Sequence, residues 1–231
     1  MPARLVAGSG ALLVVALLHA APATAQALPT IQPLKPCYVT AGTRKAPTSE
    51  PVQISAAGFT PNSQVDLMID GRLARGGRGL QTDAAGNLPI PPIEAPYVRR
   101  GTRAFTVTLT EQGNSANTVS TTAKSTALSV RVRPTTAKPS DRIRFKGLGF
   151  TADLPIYAHY LLKGKLRKTV LMAHKPGECG SFEVYRRQIP IKRPGLGMWT
   201  VQFDQSEQYV DPDVTAIVYV QLFIRLELVR R

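Results

Sequence analysis

The stretch AAGFTPNSQVDL, residues 56–67, returns later in the chain as GLGFTADLPIYA, residues 147–158. Both copies contain Gly-Phe-Thr, and the two copies lie 91 residues apart. A short run that alternates apolar with other side chains precedes each copy, Val-Gln-Ile at 52–54 and Ile-Arg-Phe at 143–145. Such alternation is the period of a β-strand with one buried face. The sequence therefore predicts that one β unit occurs twice.

Three further pairs of landmarks extend the repeat. The turn sequence DAAGNL (83–88) corresponds to PGECGSF (176–182), and Gly101 with Phe105 corresponds to Gly195 with Trp199. The openings of the two units are aligned as Cys-Tyr-Val at 37–39 and Leu-Ser-Val at 128–130. All these pairs have offsets of 91 to 94 residues, so we expect equivalent strands in the two units.

The composition predicts an all-β protein. The chain has 19 prolines and 18 glycines among 231 residues, and they separate short runs rich in Val, Ile, Thr and Phe. The best helical candidate, YAHYLLKGKLRK (157–168), has apolar residues on every side and contains Gly164. A unit of roughly 90 to 100 residues with about seven such strands is typical of a Greek-key β-sandwich. We predict two tandem Ig-like Greek-key sandwiches.

Each unit also resembles the bacterial extracellular Ig-like and IPT/TIG-type modules. The first copy carries AAGFTPNSQV, TDAAGN and RGTRAFTV, and the second carries GLGFTADLPI, with PGECGSF in place of the usual Asp-Gly-Asn turn. The resemblance implies a secreted protein in which such modules act as adhesive, spacer or carbohydrate-associated parts without catalysis of their own.

Residues 1–25 have the pattern of a cleaved export signal. Arg4 precedes the apolar run ALLVVALL (11–18), which is too short to span a bilayer, and Ala23 and Ala25 suit signal peptidase. We expect cleavage before Gln26 and a secreted, extracellular or envelope-associated protein with no transmembrane anchor. The predicted divisions are a leader (1–25), an extension (26–36) and two sandwiches (37–124 and 125–231).

The two cysteines are expected to form a disulfide. Export compartments are oxidising, so Cys37 and Cys179 would cross-link the two units. The alternative is a zinc site in which His159 and His174 join the cysteines, although no paired zinc-ligand spacing is present.

No catalytic signature is found, so we predict no cofactor, no metal and no enzyme. The sequence has no G-x-S-x-G, H-E-x-x-H or P-loop pattern. One acidic segment, FDQSEQYVDPDV, contains Asp204, Glu207, Asp211 and Asp213. Its carboxylates suit turns and solubility, with calcium binding or acid–base hydrolysis as alternatives.

Basic residues predict an anionic partner. The whole chain has a net charge of +14, and loss of the leader with Arg4 leaves 28 basic against 15 acidic residues, or +13. The candidate polyanion-binding residues cluster at similar places in both units: Arg72, Arg75, Arg78, Arg99 and Arg100 in the first, and Lys163, Lys165, Arg167 and Lys168 in the second. The partner expected is an anionic envelope polymer or polysaccharide, and teichoic-type phosphate polymers, phospholipid head groups and extracellular DNA are also candidates; a solvated basic surface is the alternative. Nucleic acid is disfavoured, because only 6% of residues are aromatic.

Three classes of function remain open. The first is a non-enzymatic binding or spacer protein of the envelope or extracellular space. The second is a polysaccharide-active or hydrolytic protein that uses the acidic segment 204–213, and the third is a structural partner in a secreted assembly.

Overall fold

The fold is all-β and consists of two Ig-like sandwiches in succession, as predicted. A computed structural model describes residues 28–213 and 219–227. The expected leader (1–25) lies outside the described residues. The strands of the first sandwich are β1 (Thr30–Ile31), β2 (Cys37–Gly42), β3 (Pro47–Ser49), β4 (Pro51–Val52), β5 (Ser55–Ala57), β6 (Gln64–Ile69), β7 (Arg72–Leu73), β8 (Leu80–Gln81), β9 (Leu88–Pro89), β10 (Ile93–Glu94), β11 (Thr102–Glu111) and β12 (Asn114–Ala127).

The second sandwich is built from β13 (Ser129–Arg133), β14 (Arg142–Leu148), β15 (Ile156–Leu162), β16 (Lys165–Ala173), β17 (Phe182–Arg187), β18 (Gly197–Asp204) and β19 (Val220–Leu226). A short 3-10 turn, Glu178–Gly180, lies before β17.

Each sandwich has two layers. In the first, the sheet β3-β2-β12-β11-β6-β7, with β8 also on β6, faces the small sheets β1-β5-β9 and β4-β10. In the second, the sheet β16-β15-β18-β19 faces β13-β14-β17. Alternate residues enter each core. In β11 these are Phe105, Val107 and Leu109, and in β18 they are Trp199, Val201 and Phe203.

Strand registers confirm that the units repeat. Val107 of β11 lies opposite Ile69 of β6, and the equivalent Val201 of β18 lies opposite Tyr160 of β15. The hairpins that follow β6 and β15 also match: Asp70–Gly71 and Lys163–Gly164 both have positive φ at two consecutive residues. Two consecutive positive φ values are the signature of the two-residue turns that fit the twist of a hairpin. The segment 157–168, which the sequence disfavours as a helix, is therefore a β-hairpin.

The repeated Gly-Phe-Thr has the same structural role in both units. Gly58 and Gly149 have φ of 88° and 89°, and the following Phe59 and Phe150 are buried in their cores. The backbone N–H of Phe59 donates to the carbonyl of Gly86 (3.2 Å), and that of Phe150 donates to the carbonyl of Gly180 (3.3 Å). These bonds confirm that the turns at 83–88 and 176–182 are equivalent despite their different sequences.

The predicted alignment of the openings is wrong. Residues 37–39 belong to β2, which pairs in parallel with β12, whereas β13 pairs with β14 in the opposite layer. In the first sandwich that place is taken by β1, which pairs with β5. The predicted N-terminal extension (26–36) thus contributes a strand, since Thr30 and Ile31 pair with Ala57 and Ala56 of β5. The predicted boundary at 124/125 falls inside β12, whose last residues pair with β2.

Candidate functional site: basic loops on the two sandwiches

The predicted disulfide is present and joins the two sandwiches. Cys37, at the start of β2, is bonded to Cys179 in the 3-10 turn, with Cα atoms 5.3 Å apart. Lys35 Nζ adds a second link, since it contacts Glu50 Oε1 at 2.7 Å and Thr151 Oγ1 at 3.1 Å. Because both thiols are consumed, the alternative zinc site made from them is excluded. The described residues contain no cluster of three or more metal-binding side chains.

A basic groove forms beside β2 in the first sandwich. Its walls are the β2–β3 loop, with Arg44 and Lys45, and the segment before β11, with Arg99 and Arg100. Tyr97 lies between the two basic pairs, and the groove has a volume of about 810 Å³. All four cations are exposed, and none forms an ion pair within residues 28–213 and 219–227.

Hydrogen bonds hold the two walls of this groove together. The Thr40 hydroxyl donates to the carbonyl of Val98 (3.1 Å) and accepts from the Val98 N–H (3.2 Å). The Tyr97 hydroxyl donates to the carbonyl of Gly42 (3.2 Å). At Gly42 φ is +79°, and a Cβ there would lie 2.4 Å from the carbonyl oxygen of Ala46, so the loop needs glycine at this point. These contacts therefore fix the relative positions of the two backbone segments that carry the four cations.

Arg72, Arg75 and Arg78 lie together around the hairpin of β6, β7 and β8. All three are exposed. Asp66 of β6 accepts from the Gly79 N–H (2.8 Å) and from the Gln112 amide (2.7 Å), and these bonds, with a smaller contribution from Arg78, lower the pKa of its carboxyl group. This segment is consequently tied to β6 at its C-terminal end.

Lys163, Lys165, Arg167 and Lys168 occupy the equivalent hairpin of the second sandwich, between β15 and β16. All four are exposed. Lys168 Nζ donates to the carbonyl of Pro190 at 3.0 Å, so this cation contacts the segment that follows β17. The two predicted hairpin clusters thus occupy matching elements of different sandwiches.

The structure adds Arg44 and Lys45 to the predicted pair Arg99 and Arg100. These two residues were missed because they are 54 or more positions away in the sequence, and tertiary contacts such as the hydrogen bonds of Thr40 with Val98 and of Tyr97 with Gly42 bring them close. The sequence signal that could have indicated them is the adjacent pair Arg44 and Lys45 in a loop that begins with Gly42.

The acidic segment is divided between structural and exposed carboxylates. Asp204 is buried, and its Oδ1 accepts from the backbone N–H of Ser206 (2.9 Å). Its Oδ2 accepts from the Gln202 amide (2.9 Å), and Oδ1 lies 3.2 Å from His159 Nε2. His159 Nδ1 lies 2.9 Å from the Thr169 hydroxyl. Asp204 and His159 therefore fasten the loop after β18 onto the sheet, whereas Asp211 is exposed.

Comparisons with known proteins show low similarity. No family model and no curated protein matches this sequence. A crystal structure of a tetra-tandem repeat in the extending region of a large adhesion protein is 16% identical with a TM-score of 0.30, over 77% of this chain and 45% of that one. A second, the N-terminal eight Ig domains of Down syndrome cell adhesion molecule isoform 1.30.30, is 14% identical with a TM-score of 0.32, over 87% of this chain and 27% of that one. The chain spans less than half the length of either structure.

None of the described residues forms a helix with the length and apolar character that a membrane crossing requires.

Proposed function

We propose that this protein is a non-enzymatic exported binding or spacer protein whose basic loops contact an anionic polymer of the envelope or extracellular space. The observation that carries the proposal is the groove formed by Arg44, Lys45, Arg99 and Arg100. Four cations held beside one another without acidic partners create a positive potential that attracts polyanions.

The repeated hairpin clusters support a contact longer than one groove. Arg72, Arg75 and Arg78 in the first sandwich and Lys163, Lys165, Arg167 and Lys168 in the second are all exposed. The disulfide and the contact of Lys35 with Thr151 join the two sandwiches that carry them. A polymer that reaches both sandwiches would gain from several contacts at once, and such multivalent contacts bind far more tightly than single ones.

The export signal predicted at residues 1–25 and the disulfide fit this function, because disulfides persist in oxidising compartments. The geometry of the acidic segment argues against the hydrolytic alternative. Both oxygens of Asp204 are occupied by hydrogen bonds inside the protein.

The test is retention on an immobilised carboxylate polysaccharide, polygalacturonate, between about 50 and about 200 mM salt. Binding through several cations should weaken steeply across this range, because each contact releases counterions. Replacing Arg99 and Arg100 with glutamine should lower retention and reduce the slope of log affinity against log salt by about two.

Lys192 and Arg193 provide a matched control, since they are also an adjacent, exposed basic pair in a loop. Their replacement with glutamine removes the same charge outside the groove and should have a smaller effect. Equal losses for both pairs would show that only the total charge matters, and no retention of the wild type would contradict the proposed function.

A further inference from the structure

The outer face of the β13-β14-β17 sheet carries a dense array of cations. Residues that point away from the core alternate with buried Val130, Ile143 and Phe145. Strand pairing places these outward residues next to one another: Arg131 and Arg133 on β13, Arg142, Arg144 and Lys146 on β14, and Tyr185 and Arg187 on β17. Six cations therefore share one face of a rigid sheet.

Only one carboxylate balances these charges on the three strands. Glu183 of β17 lies 3.3 Å from Arg144 Nη1 and 3.6 Å from Lys146 Nζ. Arg131, Arg133 and Arg187 are exposed and form no ion pair within the described ranges 28–213 and 219–227. The face thus keeps a net charge of five positive units, from six cations and one anion.

The fold does not require this charge, because the first sandwich shows the same face without it. At the repeat offset of 91 residues, Arg142, Arg144 and Lys146 correspond to Pro51, Gln53 and Ser55. The inward neighbours are apolar in both units, Val52 and Ile54 in one and Ile143 and Phe145 in the other. Opposite Pro51, the first sandwich even places an acidic residue, Glu94, where the second has Arg187 opposite Arg142.

The cations are spread in two dimensions. Successive outward residues on one strand are about 6.8 Å apart, and neighbouring strands are about 4.8 Å apart. The array therefore extends about 14 Å along β14 and about 10 Å across the three strands. A linear polymer that follows one strand would meet at most the three cations of that strand, whereas a planar anionic surface can meet all six through their long, flexible stems.

Tyr185 lies on β17, at one side of this array and level with its central residue, Arg144. It pairs with Arg144 across the sheet and is 51% exposed, although large aromatic side chains are usually buried. Tyrosine is enriched at the level of lipid head groups, where its ring is apolar and its hydroxyl is hydrated. A platform for single-stranded nucleic acid would need several aromatic rings for successive bases, and this face has one.

We infer that the outer face of the β13-β14-β17 sheet docks on an anionic lipid surface, with the cations on phosphate-bearing head groups and Tyr185 at the interface. The inference goes beyond the proposed polymer contact and uses different residues. In an exported protein, this face would hold the second sandwich against a membrane.

The test is co-sedimentation of the mature, disulfide-bonded protein with vesicles of phosphatidylglycerol and phosphatidylcholine, compared with pure phosphatidylcholine. Each Lys or Arg near an anionic surface multiplies the partition coefficient by about five. We expect binding to the anionic vesicles only, and a loss of about 100-fold when Arg131, Arg133 and Arg187 are all replaced with glutamine. These three side chains make no hydrogen bond or ion pair among the described residues, so the variant should fold.

The control is the triple replacement of Lys138, Lys192 and Arg193 with glutamine, which removes the same charge from exposed loop positions outside the three strands of this face. It should bind the anionic vesicles within a few fold of the wild type. Failure of the wild type to bind these vesicles, or equal losses in the two triple variants, would overturn the inference. Retention on polygalacturonate is measured separately with the Arg99 and Arg100 variant, so either proposal can fail alone.

Discussion

Gly180 shows how a single residue maintains the repeated turn. Its φ is +67°, and a Cβ at this position would lie 2.2 Å from the backbone nitrogen and carbonyl carbon of Phe150. Gly86 is the counterpart, where a Cβ would lie 2.2 Å from the carbonyl oxygen of Phe59. In both sandwiches the turn can approach the strand end only because no side chain intervenes.

Replacing Gly180 with alanine should therefore destabilise the protein by about 3 kcal/mol. About 1–2 kcal/mol comes from the left-handed backbone and the rest from overlap with the backbone of Phe150. Gly164 is the control: its φ is +71°, but a Cβ there meets nothing within 4 Å. Replacement of Gly164 with alanine should therefore lower the free energy of unfolding only by the about 1–2 kcal/mol that comes from the left-handed backbone. Urea denaturation measures both, and equal costs would show that the close approach at Gly180 is unimportant.

At the scale of elements, the loop after β18 depends on one buried carboxylate. Asp204 accepts hydrogen bonds from Gln202 and from the Ser206 backbone, and it faces His159. The carbonyl oxygen of Ser206 also lies 3.1 Å from His159 Nε2. Nε2 lies between two acceptors and therefore carries the hydrogen.

Removal of the Asp204 carboxylate by substitution with alanine should destabilise the second sandwich by about 3 kcal/mol, because it leaves buried donors without acceptors. Asp211 to alanine, an exposed acid in the same segment, should change stability by less than about 1 kcal/mol. The comparison requires thermal or urea denaturation of both variants. Similar small effects would mean that the Asp204 network does not hold the loop.

For the whole molecule, the long-range disulfide determines how the sandwiches stay together. Cys37 and Cys179 are 142 residues apart, and the Lys124–Glu178 ion pair lies next to the bond. That ion pair is exposed, and such pairs contribute little to stability. The covalent link is therefore the main restraint between the two units at this place.

Replacement of both cysteines with serine should lower the free energy of unfolding by about 5 kcal/mol, since the unfolded chain regains the freedom of a very long loop. The two sandwiches should then unfold in separate transitions in urea, monitored by circular dichroism and by the fluorescence of the buried Trp199. A single, unshifted transition in the double variant would contradict this role of the disulfide.

The sequence by itself determined the all-β class, the repeat and the equivalence of the strands that flank the repeated Gly-Phe-Thr. Glycine at positive φ and apolar residues at alternate positions act locally, so Gly58, Phe59 and their copies can be recognised without a structure. The disulfide followed from the presence of two cysteines in a chain that the sequence predicts to be exported. The alternating arginines at 131–133 and 142–144 also indicate a basic face on two strands.

Only the tertiary structure decided which residues act together. Hydrogen bonds between distant segments placed Arg44 and Lys45 beside Arg99 and Arg100, and strand pairing assembled the cations of β13, β14 and β17 on one face. It also put β1, rather than β2, in the place of β13, because strand neighbours depend on hydrogen bonds across the sheet and not on order along the chain. Burial separated Asp204 from the exposed Asp211, seven positions further on, because Asp204 is hydrogen-bonded within the sheet and its following loop whereas Asp211 lies at the surface.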